Sequence, residues 1–328
     1  MLQTILIGLG AGAAAALLFA TVVSGALLAI LLFYMAPLPI VIAALGWNHW
    51  AGLLAALAAA AALGAIFHPL LFVFFLAAVG LPAWWLGYLA LLARPSAAAP
   101  DGLDWYPAGN LVLRAALLGA VVVTAGILYL GTDESTFRAA LRSGIERAFQ
   151  VNRPSEGGQI SIPGVGDPQR LIEFLVMVLP PAAAVLATLT NLLNLWSAGH
   201  IVRISGRLRR PWPDLSAIRF PAYAPLLVAL ALLGSFLPGL AGTIAGVFAA
   251  ALLIAFAVMG LAVLHAITRG MRGRLAMLLG TYVLLAIVQW PILVIALLGL
   301  AETGINLRGR IAARQPPPSS PSPPSSPL

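Results

Sequence analysis

The stretch from Glu173 to Pro221 limits what this chain can become more than any other. It begins as an apolar run, EFLVMVLPPAAAVLATLTNLLNLWSAG, and passes without a break into a basic loop, HIVRISGRLRRPWPDLSAIRFP. A run of that length crosses the ~30 Å hydrocarbon layer of a bilayer as a helix. The loop carries Arg203, Arg207, Arg209, Arg210 and Arg219 against one acid, Asp214. Short loops with such an excess of arginine stay on the cytoplasmic side. One end of one span is thereby oriented, and the other spans are counted outward from it.

Further apolar runs of spanning length recur from the first residues to about residue 302. Hydrophobic residues make up 61% of the chain and charged residues 9%, against roughly 45–50% and 25% in soluble domains. The expected fold class is all-α, a polytopic transmembrane helix bundle of about eight to nine spans with one amphipathic surface helix. A membrane barrel needs ~10-residue alternating segments, and these are absent. There are no cysteines, so disulfides and thiolate chemistry are excluded. All 18 basic residues are Arg. They sit at span ends, where topology requires positive charge, so the net charge of +8 predicts no nucleic-acid partner. The lipid bilayer is the expected partner. No basic residue opens the N-terminus, so the first apolar run reads as a retained span, not a cleaved signal.

The bundle is expected over residues 1–314. The first span, 3–23, places Gly8, Gly12, Ala16, Ala20 and Ser24 at every fourth position. That spacing gathers small side chains on one face, where another helix can approach closely. The second span, 25–46, contains Pro37 and Pro39, whose missing donors leave carbonyls for neighbouring helices to satisfy. Spans three to five fall at 51–67, 70–92 and 110–131. Asp101 and Asp104 lie in the loop between the last two and read as a solvated turn rather than a metal pair.

The hydrophilic region 132–170 opens with a helical pattern. Phe137, Leu141, Ile145 and Phe149 are four apart, with Arg138, Arg142, Glu146 and Arg147 on the other side, so this helix should cap the bundle or lie on the membrane. Its second half, NRPSEGGQISIPGVGDPQR, reads as irregular loop. The sixth span, 171–202, holds Thr190, Asn191, Asn194 and Ser197 within one arc, which should face the bundle. Interhelical hydrogen bonding is the plainer role for these four, and ligand binding the sharper one. Spans seven and eight are expected at 222–238 and 241–266. A ninth apolar segment, 275–302, reads as a single span kinked at Gln289-Trp290-Pro291, with a re-entrant pair as the alternative. Residues 315–328, QPPPSSPSPPSSPL, form a disordered or extended tail.

Three stretches carry a family resemblance. One is FYMAPLPIVIAALGW, followed two spans later by GLPAWWLGYLALLARP. The second is NLLNLWSAGHIVRISGRLRRPWPDLSAIRFPAYAP. The third is GLAVLHAITRGMRGR with the closing LLGLAETGINLRGR. On these the chain resembles the YybS-like family of bacterial membrane proteins, also called domain of unknown function 2232. The N-terminal half of that family is similar to the substrate-binding subunits of energy-coupling-factor vitamin transporters. The resemblance implies that the small face from Gly8 to Ser24 docks an energising subunit. No ligand-contacting motif of a known vitamin binder is present. The closing stretch departs from the family pattern at Thr303, Gly304 and Asn306.

The leading expectation is an inner-membrane, transporter-like subunit that binds a small solute or lipid within the bundle. The alternative is a scaffold or assembly factor that recruits partners through basic cytoplasmic loops. An enzyme would have to use Glu173, His200, His265 or Glu302, which are scattered and show no metal-ligand or paired-carboxylate spacing. No enzyme activity, cofactor or metal is therefore expected. Counting from the basic loop puts the N-terminus and residues 93–109 inside and 132–170 outside.

Overall fold

A computed structural model of the chain describes residues 1–98, 102–152 and 167–314. The tail, Asp101 and most of the irregular loop expected over 152–170 lie outside the described residues. The chain divides into two units, Met1–Ala255 and Phe256–Leu328.

In the first unit, α1 (Leu2–Ala20) ends in a 3₁₀ turn, and Gly25 at φ +67° reverses the chain. The second expected span is two helices, α2 (Leu27–Tyr34) and α3 (Pro37–Gly46). Pro37 has no N–H to offer, and the Leu38 N–H turns to the Met35 carbonyl instead of Tyr34. Helix α4 (His49–Ile66) is capped by the Asn48 side chain, which accepts from the Ala51 N–H at 2.9 Å. Helices α5 (Pro69–Phe75) and α6 (Leu81–Ala90) form one 22-residue span through a π-helical stretch at Leu76–Gly80. Strands β1 (Ala93–Pro95) and β2 (Leu103–Trp105) make a small antiparallel hairpin, closed by Arg94–Asp104 at 2.7 Å. Then follow α7 (Ala108–Leu130), α8 (Glu134–Asn152) and α9 (Pro168–Ile204). At ~1.5 Å per residue the 37 residues of α9 measure about 55 Å, so it outruns the bilayer core. Helices α10 (Ala224–Gly234) and α11 (Gly239–Ile267) complete this part of the chain.

Contacts between turns show which ends of the spans lie together. Asn48 Nδ2 donates to Thr4 Oγ1 at 3.4 Å, Arg207 lies 4.6 Å over the Trp47 ring, and Arg210 reaches the Ala90 carbonyl. The N-terminus, the turn at 47–48, the hairpin at 93–105 and the loop after α9 therefore share one end. At the other end Phe74 meets Tyr129 edge-on at 5.1 Å, and α8 packs its Ile145 against Ile172 and Val176 of α9. Phe137 of α8 is buried, and Leu141 and Phe149 are half-buried, so the expected apolar stripe faces the bundle.

Small residues let the spans approach. Lipid tails are as apolar as leucine, so packing between spans rests on close contact rather than on the hydrophobic effect. A Cβ on Gly12 of α1 would stand 2.7 Å from the Ala55 carbonyl oxygen of α4. Ala44 of α3 fits against Gly52 of α4 and Gly87 of α6, with would-be Cβ separations of 2.6 and 2.8 Å.

The second unit holds the last turns of α11, then α12 (Arg274–Ile287), α13 (Pro291–Ile305) and α14 (Leu307–Arg314). A Cβ on Gly260 would run into the Ile295 carbonyl, and one on Gly299 into the Phe256 carbonyl. These two contacts order α13 antiparallel to α11. Pro291 therefore starts level with the last turn of α11, where α12 also begins. Tyr282, midway along α12, lies 6.0 Å ring to ring from His265. Helix α12 thus lies across the end of α11, and none of its residues is buried.

The single kinked span expected over 275–302 does not form. Val288 adopts an extended conformation and Pro291 opens a new helix, so the segment splits into 14 and 15 residues. The span expected over 222–238 is likewise cut to the 11 residues of α10 by the turn at Ser235–Pro238. Among the described residues, seven helical stretches are long and apolar enough to cross a membrane, with α2–α3 and α5–α6 each counted as one, and α10, α12 and α13 are shorter. The architecture is an all-α polytopic bundle.

Candidate functional site

The loop after α9 folds back on the bundle instead of hanging from it. Helix α9 stops in a C-terminal cap in which Gly206, at φ +71°, donates to the Arg203 carbonyl and Arg207 donates to the Val202 carbonyl. Only glycine adopts that left-handed conformation cheaply. The loop is pinned again at Gly109 of α7, where any Cβ would collide with the Arg219 carbonyl. Arginines and aromatic rings interleave between these points. Arg203 lies 5.2 Å over Trp212 and Arg207 over Trp47, each a cation–π contact of about 0.5–1 kcal/mol where exposed. His200 stacks on Trp196 at 5.5 Å and meets Trp212 edge-on.

Beneath the loop lies a cleft with about 700 Å³ of empty space, its open mouth included. Its walls are Leu45 of α3, Ala90 of α6, Ala108, Leu111 and Val112 of α7, Leu195, Trp196 and Gly199 of α9, and Trp212 and Ile218 of the loop. The one charged side chain on the wall is Arg210. Arg210 is half-buried and donates to the Ala90 carbonyl at 3.2 Å. Burial pushes its affinity for a proton down from the ordinary guanidinium value. Asp214, the acid of this loop, is turned to Ser216, accepting from its N–H at 3.0 Å and its hydroxyl at 2.7 Å. An apolar cleft of this size with one cation on its wall suits an amphiphile. A second apolar opening, between Phe74, Ile127, Phe137 and Leu179 at the other end, carries no charged group.

The polar arc of α9 braces helices. Asn194 is buried and donates at 2.8 Å to the Tyr34 carbonyl, which the Pro37 break left exposed, and also to Thr190. Asn191 donates to the Ala115 carbonyl of α7 at 3.4 Å. Ser197 is half-buried and lies outside the cleft wall. On α1, Gly8, Gly12 and Ala16 are buried, Ala20 is half-buried, and the Ser24 side chain lies outside the described part. Gly8 and Gly12 face Leu54, Ala55 and Ala58 of α4.

The four scattered titratable groups have separate surroundings. Glu173 is exposed, 3.9 Å from Arg142. His265 Nδ1 meets the Leu261 carbonyl at 2.9 Å. Glu302 is buried and binds Arg308 through its Nε at 2.8 Å and its N–H at 3.0 Å. Among the described residues, no group of three or more His, Asp or Glu is placed to hold a metal ion.

The model of the family described as predicted membrane protein (DUF2232) matches residues 13–303. The chain belongs to this family. The matched region contains every helix that lines the cleft, with α14 and the tail beyond it. No curated protein and no solved structure matches the chain.

Sequence reasoning singled out the arginines of this loop for topology, but not Arg210 among them, nor Trp196, Trp212 and Gly109. The signal present was RRPWP, an arginine pair and a tryptophan held between prolines directly after a span.

Proposed function

We propose that this membrane protein is a non-catalytic subunit that holds an amphiphile, a lipid or a lipid-like solute, at the basic end of its bundle. The cleft beneath the 205–219 loop carries this reading, because its wall is apolar apart from Arg210. A polar solute finds less support, since Asn191 and Asn194 already spend their amides on backbone carbonyls. The face of Gly8 and Gly12 is taken by α4, so we place no energising subunit there. By the positive-inside rule the cleft end faces the cytoplasm of a bacterial inner membrane.

The test is purification of the full chain in mild detergent, followed by mass spectrometry of what stays bound. A lipid or amphiphile retained by the wild type and lost from Ala108→Trp, which fills the cleft, supports the reading. A stoichiometric soluble protein with no bound amphiphile favours the scaffold, for which the exposed Arg203, Arg207, Arg209 and Arg219 would be the recruiting surface.

A further inference from the structure

The cleft has a chemical polarity that its size alone does not convey. Arg210 stands on the wall with Leu111, Trp196, Trp212 and Ile218 around it. A guanidinium carries five N–H donors in a planar fork. Among the described residues, the Ala90 carbonyl is the protein acceptor that takes a hydrogen bond from it. No carboxylate among them lies within ion-pair distance of it. Asp214, four residues on, accepts from the Ser216 N–H and hydroxyl. The neighbouring Arg203 and Arg207 differ, because each lies over an indole ring. Removing a cation from water without a counter-charge is costly, and guanidinium meets phosphate or carboxylate oxygens through two parallel bonds.

We propose that the cleft selects an anionic amphiphile, with Arg210 binding a phosphate or carboxylate head and the wall of α7, α9 and Trp212 taking the chain. This rests on the amphiphile reading above and names the class of head group. The geometry orients the ligand. The guanidinium sits at the loop, level with the ends of α6 and α9, while Leu111 and Leu195 lie a turn or more inside the bundle. The head would therefore stay at the membrane surface and the chain would point inward, parallel to the lipids. The tryptophans suit this level, since indole rings favour the interface.

Binding is measured on the full chain in detergent, by quenching of tryptophan fluorescence or by native mass spectrometry. The probes are lysophosphatidic acid, lysophosphatidylcholine and inorganic phosphate. A charge-assisted fork should favour the anionic probe over the zwitterionic one by roughly tenfold or more. Arg210→Gln should abolish that preference, Arg210→Lys, which keeps the charge but not the fork, should keep only part of it, and Arg209→Gln, off the cleft wall, should leave it unchanged. Equal binding of both amphiphiles by the wild type, or an anion preference that survives in Arg210→Gln, overturns the head-group assignment but leaves an amphiphile cleft. If Arg210→Gln fails to fold, loss of the preference in a folded Arg209→Gln overturns it equally. Inorganic phosphate binding as tightly as lysophosphatidic acid means a free anion site instead. Binding of neither amphiphile removes the amphiphile reading itself.

Discussion

Single residues in this protein act mostly by what they leave out. Gly12 has no side chain, and the α4 backbone occupies the space a side chain would need. Gly10, two positions away, has nothing within 4 Å of its would-be Cβ. The two therefore make a matched pair. Gly12→Ala should destabilise the detergent-solubilised protein by about 1–3 kcal/mol through overpacking. Gly10→Ala should be neutral or slightly stabilising. Thermal unfolding of both decides it, and equal shifts would mean that small size along α1 is composition, not packing. Asn194 acts by addition: its amide donates to the Tyr34 carbonyl, which the Leu38 N–H leaves for Met35 where Pro37 opens a new helix. Such bonds between membrane helices average about 0.6 kcal/mol, which is enough to set register but not to hold the bundle.

At the scale of elements, α8 is the piece whose attachment can be measured. It is held at its start by Asp133, whose carboxylate accepts from the Ser135 hydroxyl and from the N–H and hydroxyl of Thr136. These bonds lower the Asp133 pKa from 3.8 to about 2, with the Ser135 hydroxyl the largest cause. A depressed carboxylate contributes stability that is complete above its unfolded pKa and is lost as pH falls through the folded one. The α8 N-terminus should therefore resist pepsin near pH 4 and fray as pH approaches 2, and Asp133→Ala should remove that dependence. The stripe holds the rest of the helix. Phe137→Ala deletes a ring that is 2% exposed and should cost roughly 3 kcal/mol of α8 docking, read as faster amide exchange in α8 alone. Unchanged exchange would mean that α8 is held by its salt bridges, which are exposed and worth less.

For the whole molecule the open quantity is which end faces the cytoplasm. Ser205 and Ser143 stand at opposite ends of the first unit, after α9 and on α8. Both are exposed, and the chain has no cysteine to give background. A thiol at Ser205→Cys should label only in inverted vesicles, and one at Ser143→Cys in intact spheroplasts. The reverse pattern would invert the topology. Labelling of both from one side would break the alternation of spans. The expectation rests on charge: the last turn of α9 and the loop after it carry five arginines to one acid, while the arginines of 132–170 are matched by acids.

The sequence by itself determined the class and most of the spans. Apolar length and arginine placement are local quantities, and a bilayer reads them locally, so α1, α4, α7 and α9 were legible to within a few residues. So was the α8 stripe, because a period of four needs no partner to be seen. Only the tertiary structure decided the end of the chain. Residues 275–302 are mostly apolar and the sequence marks a break at Gln289-Trp290-Pro291, but the fold decides that Val288 ends one helix, Pro291 opens another, and the meeting of Gly260 with Ile295 turns α13 back along α11. Hydropathy counts apolar residues, and it does not register where one backbone must touch another. The cleft was hidden for the same reason. Arg210 and Arg203 look alike in the sequence, and they part only in the fold, where Arg210 is half-buried against the Ala90 carbonyl and Arg203 lies over the Trp212 ring.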